Sequence, residues 1–141
     1  MNNLEKAKKL LCEGEYTCVM CSDSDTITFT DRGVKPLVSL LQGEGQFDGY
    51  SAADKVVGRA TAFLYVLLGV TSVYANVISR TALSVLESAN IPVTFDTLAD
   101  NIINRAGDGI CPFEAAVLDI SDANTAYTAI LDKMQQMRIE I

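Results

Sequence analysis

Residues 60–79 contain no charged side chain, and this run constrains the fold more than any other feature of the sequence. A run of this length is enough to span a lipid bilayer. Threonines, serines and an asparagine interrupt it, however, and lower its tendency to insert into a membrane. Gly69 divides the run at a position typical of a helix end. We therefore predict a buried helix followed by a buried strand, without binding to a membrane.

The composition predicts one globular domain over residues 1–141. A chain of this length buries about 70% of the surface that it exposes when unfolded, and 49% of its residues are hydrophobic, so it can form a core. It has 11 basic and 18 acidic residues and a net charge of −7, which argues against binding to nucleic acid. It has no histidine, which excludes a Ser-His-Asp triad and metal binding by imidazole.

Four cysteines bear on the cellular compartment and on metal binding. The N-terminal residues lack the apolar segment of a secretory leader, so we expect a cytoplasmic protein with reduced thiols. Cys18 and Cys21 form a C-x-x-C motif, which in other proteins binds zinc or forms a redox pair. Here the motif lies in a predicted strand, where residues three apart point to opposite faces. We therefore expect these cysteines to pack in the core, with no metal site and no cofactor.

Hydrophobic periodicity predicts an α/β fold. The predicted helices are residues 4–13, 34–42, a long buried helix that begins at 51 and ends at 68, 81–89 with Ser79 as its cap, 98–104, 112–118, and a last helix from Asp122 to 137. The predicted strands are residues 16–21 and 26–30, which form a hairpin, 72–77 and 93–95. A three-layer α/β/α domain, in which helices cover both faces of a mixed sheet of four to five strands, packs these elements economically.

The first candidate site is the predicted start of the long buried helix, where Ser51 and Asp54 have the spacing of a capping box. The free N–H groups of a helix start attract anions. Lys55 and Arg59 are four residues apart, so on a helix both could reach one phosphate or carboxylate. Asp54 could in addition carry a proton. The alternative interpretation is a solvated helix start whose polar residues only cap and orient it.

The second candidate site is the segment from Arg105 to Glu114. Gly107 and Gly109 can adopt positive φ, so their N–H groups could form an anion-binding nest beside the Arg105 guanidinium. Cys111 precedes a proline at a predicted helix start, where a thiolate is stabilised, which makes it a candidate nucleophile or redox-sensitive group. Glu114 is a capping residue and a candidate general acid or base. The alternative interpretation is an ordinary junction between a loop and a helix.

Three segments resemble an uncharacterised bacterial family of the cytidine-deaminase-like fold. They are residues 32–36 (RGVKP), residues 51–58 (SAADKVVG), and Cys111-Pro112 together with Glu114. The resemblance extends over essentially the whole chain. It implies an α/β/α fold with a pocket at the start of the central helix.

Deaminases of that fold hold zinc with a His or Cys at the start of one helix and two Cys at the start of the next, while a Glu carries the proton. The corresponding helix starts in this sequence are predicted at Ser51-Ala52-Ala53-Asp54 and Ser79-Arg80-Thr81-Ala82, which contain neither His nor Cys. The resemblance therefore implies the fold and the position of the pocket, without zinc and without deamination.

The leading hypothesis is a protein that binds a small anionic molecule, nucleotide-like or phosphorylated. One alternative is an enzyme that transfers a group through the Cys111 thiolate, with Lys55, Asp54 or Glu114 as the proton carrier. Another is a non-catalytic interaction module with a vestigial pocket, which forms a homo-oligomer or binds a partner. The sequence does not decide whether the chain is an enzyme. The residues assigned to the anionic ligand are Ser51, Lys55, Arg59, Arg105, Gly107 and Gly109.

Overall fold

The computed structural model describes residues 2–31, 33–43, 47–102 and 109–139. The strands are β1 (Cys18–Cys21), β2 (Thr26–Phe29), β3 (Ser51–Val57), β4 (Ser72–Ser79) and β5 (Val93–Ala99). The helices are α1 (Asn3–Glu13), α2 (Lys35–Gln42), α3 (Arg59–Leu68), α4 (Arg80–Ser88), α5 (Pro112–Ala116) and α6 (Ala123–Gln136). Within the described residues, the strands form one sheet in the order β2-β1-β3-β4-β5.

The sheet is mixed and has helices on both faces. β1 is antiparallel to β2 and β3, whereas β3, β4 and β5 are parallel. Helix α1 covers one face, where Ala7 and Leu11 pack against Val19 and Tyr74. The other helices surround the larger core on the opposite face. The predicted three-layer α/β/α class is therefore confirmed, and so is the hairpin of β1 and β2.

The largest correction concerns residues 51–57, which form β3 and not the start of a helix. β3 lies between β1 and β4, and both Ala52 and Ala53 are fully buried. Adjacent residues such as Ala52 and Ala53, buried on opposite faces of the sheet, lack the alternation of a half-buried strand, so periodicity does not distinguish this segment from a buried helix. Helix α3 therefore begins at Arg59, eight residues later than the sequence predicts.

The charge-free run of residues 60–79 forms the predicted buried helix and strand. It contains most of α3 and all of β4, and Gly69 ends the helix with a φ of 75°. Glycine adopts this left-handed conformation without the steric cost that a Cβ adds. Among the described residues, no helix is long and apolar enough to cross a membrane.

The helix predicted for residues 98–104 is wrong at its start, because Leu98 and Ala99 belong to β5. These two residues pair with Ile78 and Ser79 of β4. Polar residues interrupt the apolar pattern of β5 because it is the exposed outer strand, and the sequence therefore predicts only three of its seven residues. Residues 103 and 104 lie outside the described part of the chain.

Two predicted helix caps are confirmed. The Ser79 hydroxyl accepts a hydrogen bond from the N–H of Ala82 at 3.2 Å, and the Asp122 carboxylate accepts one from the N–H of Thr125 at 2.8 Å. Each cap satisfies an N–H group that has no partner within its helix. Helices α4 and α6 consequently begin within one residue of their predicted starts.

Candidate functional site

The carboxyl ends of β3, β4 and β5 lie at one edge of the sheet, because these strands are parallel. Helices α3 and α4 begin at this edge, directly after β3 and β4. In open α/β sheets, ligands bind most often beyond the carboxyl ends of the strands. The side chains at these two helix starts are therefore candidate ligand-binding residues.

Glu114 of α5 occupies the start of α3. Its Oε2 atom accepts a hydrogen bond from the N–H of Ala60 at 3.0 Å, and the residue is only 8% exposed. Gly58 provides the room, because a Cβ there would lie 2.7 Å from the Glu114 carboxyl carbon. The carboxylate thus sits where the helix N–H groups favour negative charge. The sequence predicts that Glu114 caps its own helix, whereas its carboxylate caps α3.

Arg59 is the first residue of α3 and its guanidinium is held in one orientation. Its Nε donates to the carbonyl of Val117 at 3.0 Å, and one terminal nitrogen donates to the carbonyl of Ile120. The guanidinium also lies 5.0 Å from the centre of the Phe63 ring. Among the described residues, no carboxylate forms an ion pair with it, and the one ion pair found there joins Arg80 and Asp100. An arginine has five N–H donors, so further donors remain for a ligand.

A groove of about 360 Å³ opens beside Arg59, between α3, α4 and the start of α6. Its apolar walls are Phe63, Val66 and Val85, and its hydroxyl groups are those of Ser84, Ser88 and Ser121. The groove thus combines a fixed cation with apolar walls and several hydroxyl groups. Small-molecule sites typically have this volume and this mixture of apolar surface with a few polar groups.

A buried hydrogen-bonded chain links three elements beneath α3. The Tyr65 hydroxyl donates to Oδ2 of Asp54 at 2.6 Å, and the Cys18 sulfur lies 3.2 Å from the same hydroxyl oxygen. Because the Tyr65 proton is directed at Asp54, the Cys18 thiol is the donor in the second bond. Asp54 and Cys18 are also direct partners across β3 and β1.

Burial controls the ionisation of this chain. It raises the pKa of Asp54 to about 6, and the hydrogen bond from Tyr65 opposes that rise. Burial and the nearby Asp54 charge raise the pKa of Cys18 well above its usual value, so its thiol stays protonated at neutral pH. The same two causes raise the pKa of Tyr65. Cys18 is consequently a core residue and not a nucleophile.

A second groove, of about 440 Å³, lies at the carboxyl-terminal ends of α2 and α3. It is lined by Leu40, Leu41, Phe47, Asp48, Leu67, Leu68 and Gly69. Among these described residues, Asp48 is the one charged side chain, and a carboxylate repels anions. This larger groove therefore does not fit the anionic ligand that the sequence suggests.

The residues of the first predicted site do not share one helix face. The Ser51 hydroxyl bonds to Thr71 and Ser72 within the sheet. Asp54 points toward α3, and its neighbour Lys55 points to the opposite face because side chains alternate along a strand. The predicted pairing of Lys55 and Arg59 on a helix face is therefore wrong, and of the two, Arg59 alone lines the groove.

The second predicted site is only partly within the described residues, since Arg105 and Gly107 lie outside them. Gly109 is half-buried, and Cys111 is the predicted N-cap of α5, a helix of five residues. The N–H of Cys111 donates to the carbonyl of Ile102 at 2.9 Å, and its side chain packs at the rim of the larger core. No described side chain hydrogen-bonds to its thiol, so none serves it as a base.

The two cysteines of the C-x-x-C motif lie on opposite faces of the sheet, as predicted. Cys18 packs in the larger core, whereas Cys21 packs in the smaller core beneath α1. In the described part of the chain, no group of three or more His, Cys, Asp or Glu side chains could hold a metal ion. The motif therefore has a packing role.

Sequence reasoning missed Tyr65 and the hydroxyl side of the groove. The signal for Tyr65 is its position in an otherwise aliphatic buried helix, because a buried tyrosine hydroxyl requires a polar partner. Ser84 and Ser88 are four residues apart on α4, which places both on one helix face. No spacing in the sequence links these serines to Arg59, since their common position along the groove depends on how α3 and α4 pack.

The fold and the sequence place the chain among small α/β proteins of one family. The family model described as a domain of unknown function (DUF1893), TM1506, matches residues 6–134. The chain belongs to the DUF1893 family. It is similar to the solved structure of a DUF1893 family protein (TM1506) from Thermotoga maritima, with 27% identity and a TM-score of 0.86 over 94% of this chain and 90% of that chain. Among curated proteins, none matches this chain.

Proposed function

We propose that this protein binds a small anionic molecule with an apolar or planar body in the groove between α3 and α4. The observation that carries the proposal is the orientation of Arg59. Its guanidinium is fixed by two carbonyl groups and by the Phe63 ring, and it lines a groove that also contains serine hydroxyls. A guanidinium that is already oriented loses little entropy when it binds an anion.

The proposed class of ligand follows from the two kinds of group that line the groove, a cation and apolar side chains with serine hydroxyls. The free N–H donors of Arg59 match a phosphate or carboxylate group. The apolar walls of Phe63, Val66 and Val85 match a planar or aliphatic body, and the serine hydroxyls can bond to its polar edge. A nucleotide-like or phosphorylated small molecule has both parts. Inorganic phosphate has only the first, and we expect it to bind more weakly.

The proposal includes a cytidine-deaminase-like architecture in which the zinc site is absent. The two helix starts at which such deaminases hold zinc correspond to Gly58-Arg59-Ala60 and Ser79-Arg80-Thr81. These side chains are not zinc ligands. Zinc therefore does not fit the side chains of these two helix starts, and the proposed activity is binding and not deamination. A cytoplasmic location is also proposed, and four cysteines without a disulfide support it.

A thermal-shift screen tests the proposed function. The probes are uridine and adenosine monophosphate, phenyl phosphate and inorganic phosphate, each compared with a potassium chloride control of equal ionic strength. A ligand that binds only the folded state raises Tm as its concentration rises above Kd. We expect stabilisation by at least one organic phosphate and less by inorganic phosphate. A Tm that none of the probes changes would contradict the proposal.

Three variants connect the binding to the groove. Arg59→Gln removes the cation, and Ser88→Leu fills the groove without removing it, so both should reduce the ligand-induced shift in Tm. Arg80→Gln is the matched control, because Arg80 is the exposed first residue of the neighbouring helix and is paired with Asp100. It should bind the ligand as the wild type does. Equal loss in Arg59→Gln and Arg80→Gln, with none in Ser88→Leu, would indicate nonspecific attraction of the anion and contradict binding in the groove.

A further inference from the structure

We propose that two copies of this chain pair through β5, edge to edge and antiparallel, to form one continuous sheet. This interaction goes beyond the proposed ligand binding and uses different residues. Its basis is that β5 is an outer strand whose residues from Thr94 to Thr97 are exposed, and that one pairing register places the two Phe95 side chains opposite each other across a two-fold axis.

The backbone groups on the outer side of β5 can be identified from its pairing with β4. The N–H of Val73 donates to the carbonyl of Pro92, and Val73 is paired with Val93. In a parallel ladder the residues on either side of a partner make the hydrogen bonds, so the backbone groups of Thr94 and Asp96 face β4. Those of Val93, Phe95 and Thr97 therefore face outward.

The two outer strands of the sheet differ in how well they are protected. β2 has only four residues, and Asp25 directly precedes it. β5 has seven residues, contains no proline, glycine or lysine, and is exposed from Thr94 to Thr97. Short length, proline and lysine are the features that protect outer strands against pairing. β5 has none of these three features, although it carries one charged residue, Asp96, and no described strand pairs with its outer side.

Charge selects the register. Antiparallel pairing centred on Asp96 would place the two Asp96 carboxylates directly opposite each other, which is unfavourable. Pairing centred on Phe95 places Phe95 opposite the second Phe95, and Asp96 opposite Thr94. In this register Val93, Phe95 and Thr97 supply roughly six hydrogen bonds between the chains, because their outward N–H and C=O groups meet. The register centred on Phe95 is therefore favoured over the one centred on Asp96.

The side chains of β5 are already arranged for this register. Asp96 accepts a hydrogen bond from the Tyr74 hydroxyl, which holds its carboxylate against its own subunit. Phe95 points to the other face and is 37% exposed. Two Phe95 rings on neighbouring strands would cover each other, and such aromatic pairs stabilise antiparallel strands.

The occupant that fits is a second copy, since the Phe95-centred register places the two Phe95 side chains together and keeps the two Asp96 carboxylates from lying directly opposite each other. One pair of strands buries less surface than the roughly 1,600 Å² of a standard stable interface. We therefore expect a dimer whose population depends on protein concentration.

Sedimentation velocity over a range of concentrations, with the full chain, tests the dimer. Thr97→Pro removes one outward N–H donor and leaves the hydrogen bonds to β4 intact, so it should raise the dimer Kd at least tenfold without lowering Tm markedly. Thr97→Val, which keeps the donor, is the matched control and should dimerise as the wild type does. A wild-type chain that is monomeric at all concentrations overturns the proposal, whether or not another protein binds this strand.

A charge exchange tests the register. Phe95→Lys and Phe95→Glu should each be monomeric alone, because like charges meet at the two-fold axis. Mixed in equal amounts they should form a heterodimer, because Lys then faces Glu. A dimer in either variant alone, or no association in the mixture, contradicts pairing centred on Phe95. Circular dichroism of each variant confirms that the sheet is retained.

Discussion

The carboxylate of Glu114 caps helix α3 by accepting the N–H of Ala60 at 3.0 Å, although 54 residues separate the two in sequence. This bond attaches α5 to the start of the central helix. It also fills the place that an anionic ligand would otherwise occupy at that helix end, since the carboxylate is already there. For this reason the proposed ligand lies beside Arg59, in the groove between α3 and α4.

Removal of the Glu114 carboxylate should destabilise the protein. Glu114→Ala leaves the buried N–H of Ala60 without a partner, at a cost of about 1–3 kcal/mol. Glu114→Gln keeps an oxygen acceptor in the same place and should cost less. Urea unfolding monitored by circular dichroism measures both. Equal stability of Glu114→Ala and the wild type would show that the cap contributes nothing.

The contact between Gly58 and Glu114 should appear as energetic coupling. Gly58→Ala places a Cβ 2.7 Å from the carboxyl carbon of Glu114, and such overpacking costs about 1–3 kcal/mol. In a Glu114→Ala background the obstacle is gone, so the same substitution should cost less. A double-mutant cycle on the free energy of unfolding measures this difference. If the two changes in the free energy of unfolding simply add, the side chains at positions 58 and 114 do not interact, which would contradict this contact.

Asp54 should make the free energy of unfolding depend on pH. Its pKa is about 6 in the folded state and near 3.8 in the unfolded state, so the folded chain binds more protons between these values. Its contribution is fully present below pH 3.8 and is lost as the pH rises to 6, a decrease of about 3 kcal/mol at most.

Asp54→Asn keeps an acceptor for the Tyr65 hydroxyl and cannot ionise. We expect this variant to lack the Asp54 part of the pH dependence and to be more stable than the wild type at pH 7. Urea unfolding at several pH values between 4 and 7 measures the slope for both proteins. Parallel slopes for the two proteins would mean that Asp54 has an ordinary pKa.

The four thiols should differ in reactivity. Cys12 is exposed, Cys111 is half-buried, and Cys18 and Cys21 are buried on opposite faces of the sheet. With iodoacetamide at pH 8, we expect Cys12 to react first and Cys111 more slowly, while the two buried cysteines react only after unfolding. Peptide mass spectrometry assigns the labels. Rapid labelling of Cys18, or a Cys18–Cys21 disulfide under mild oxidation, would contradict the arrangement of β1.

The sequence predicts the class of fold well, because its strongest patterns are local. The amphipathic helix α1, the hairpin, the Gly69 helix end and the Ser79 and Asp122 caps each depend on a few adjacent residues. β3 is the main failure, since its burial on both faces results from its place in the middle of the sheet. An apolar pattern indicates that a segment is buried, but it does not indicate whether that segment is a helix or a strand.

The candidate site is harder to predict than the fold, because its residues come from separate elements. Arg59 was identified from its charge near a helix start, and the structure keeps it in the site. Its orientation depends on the carbonyls of Val117 and Ile120, which have no signature in the sequence. Lys55 has the same charge, but the alternation of β3 directs it to the other face.

The most direct test of the proposed function is a two-dimensional ¹H–¹⁵N NMR titration of the full chain with phenyl phosphate and, separately, with benzyl alcohol as the uncharged comparison. We expect saturable shifts at the Nε–H of Arg59 and at the amides of Ser84, Ser88 and Ser121 with the phosphate, and much weaker binding of the alcohol. Charge-assisted hydrogen bonds of about 1.5–3 kcal/mol correspond to a difference in Kd of roughly 10-fold to 100-fold. Shifts confined to other parts of the chain, or equal binding of the two probes, would contradict the proposed function.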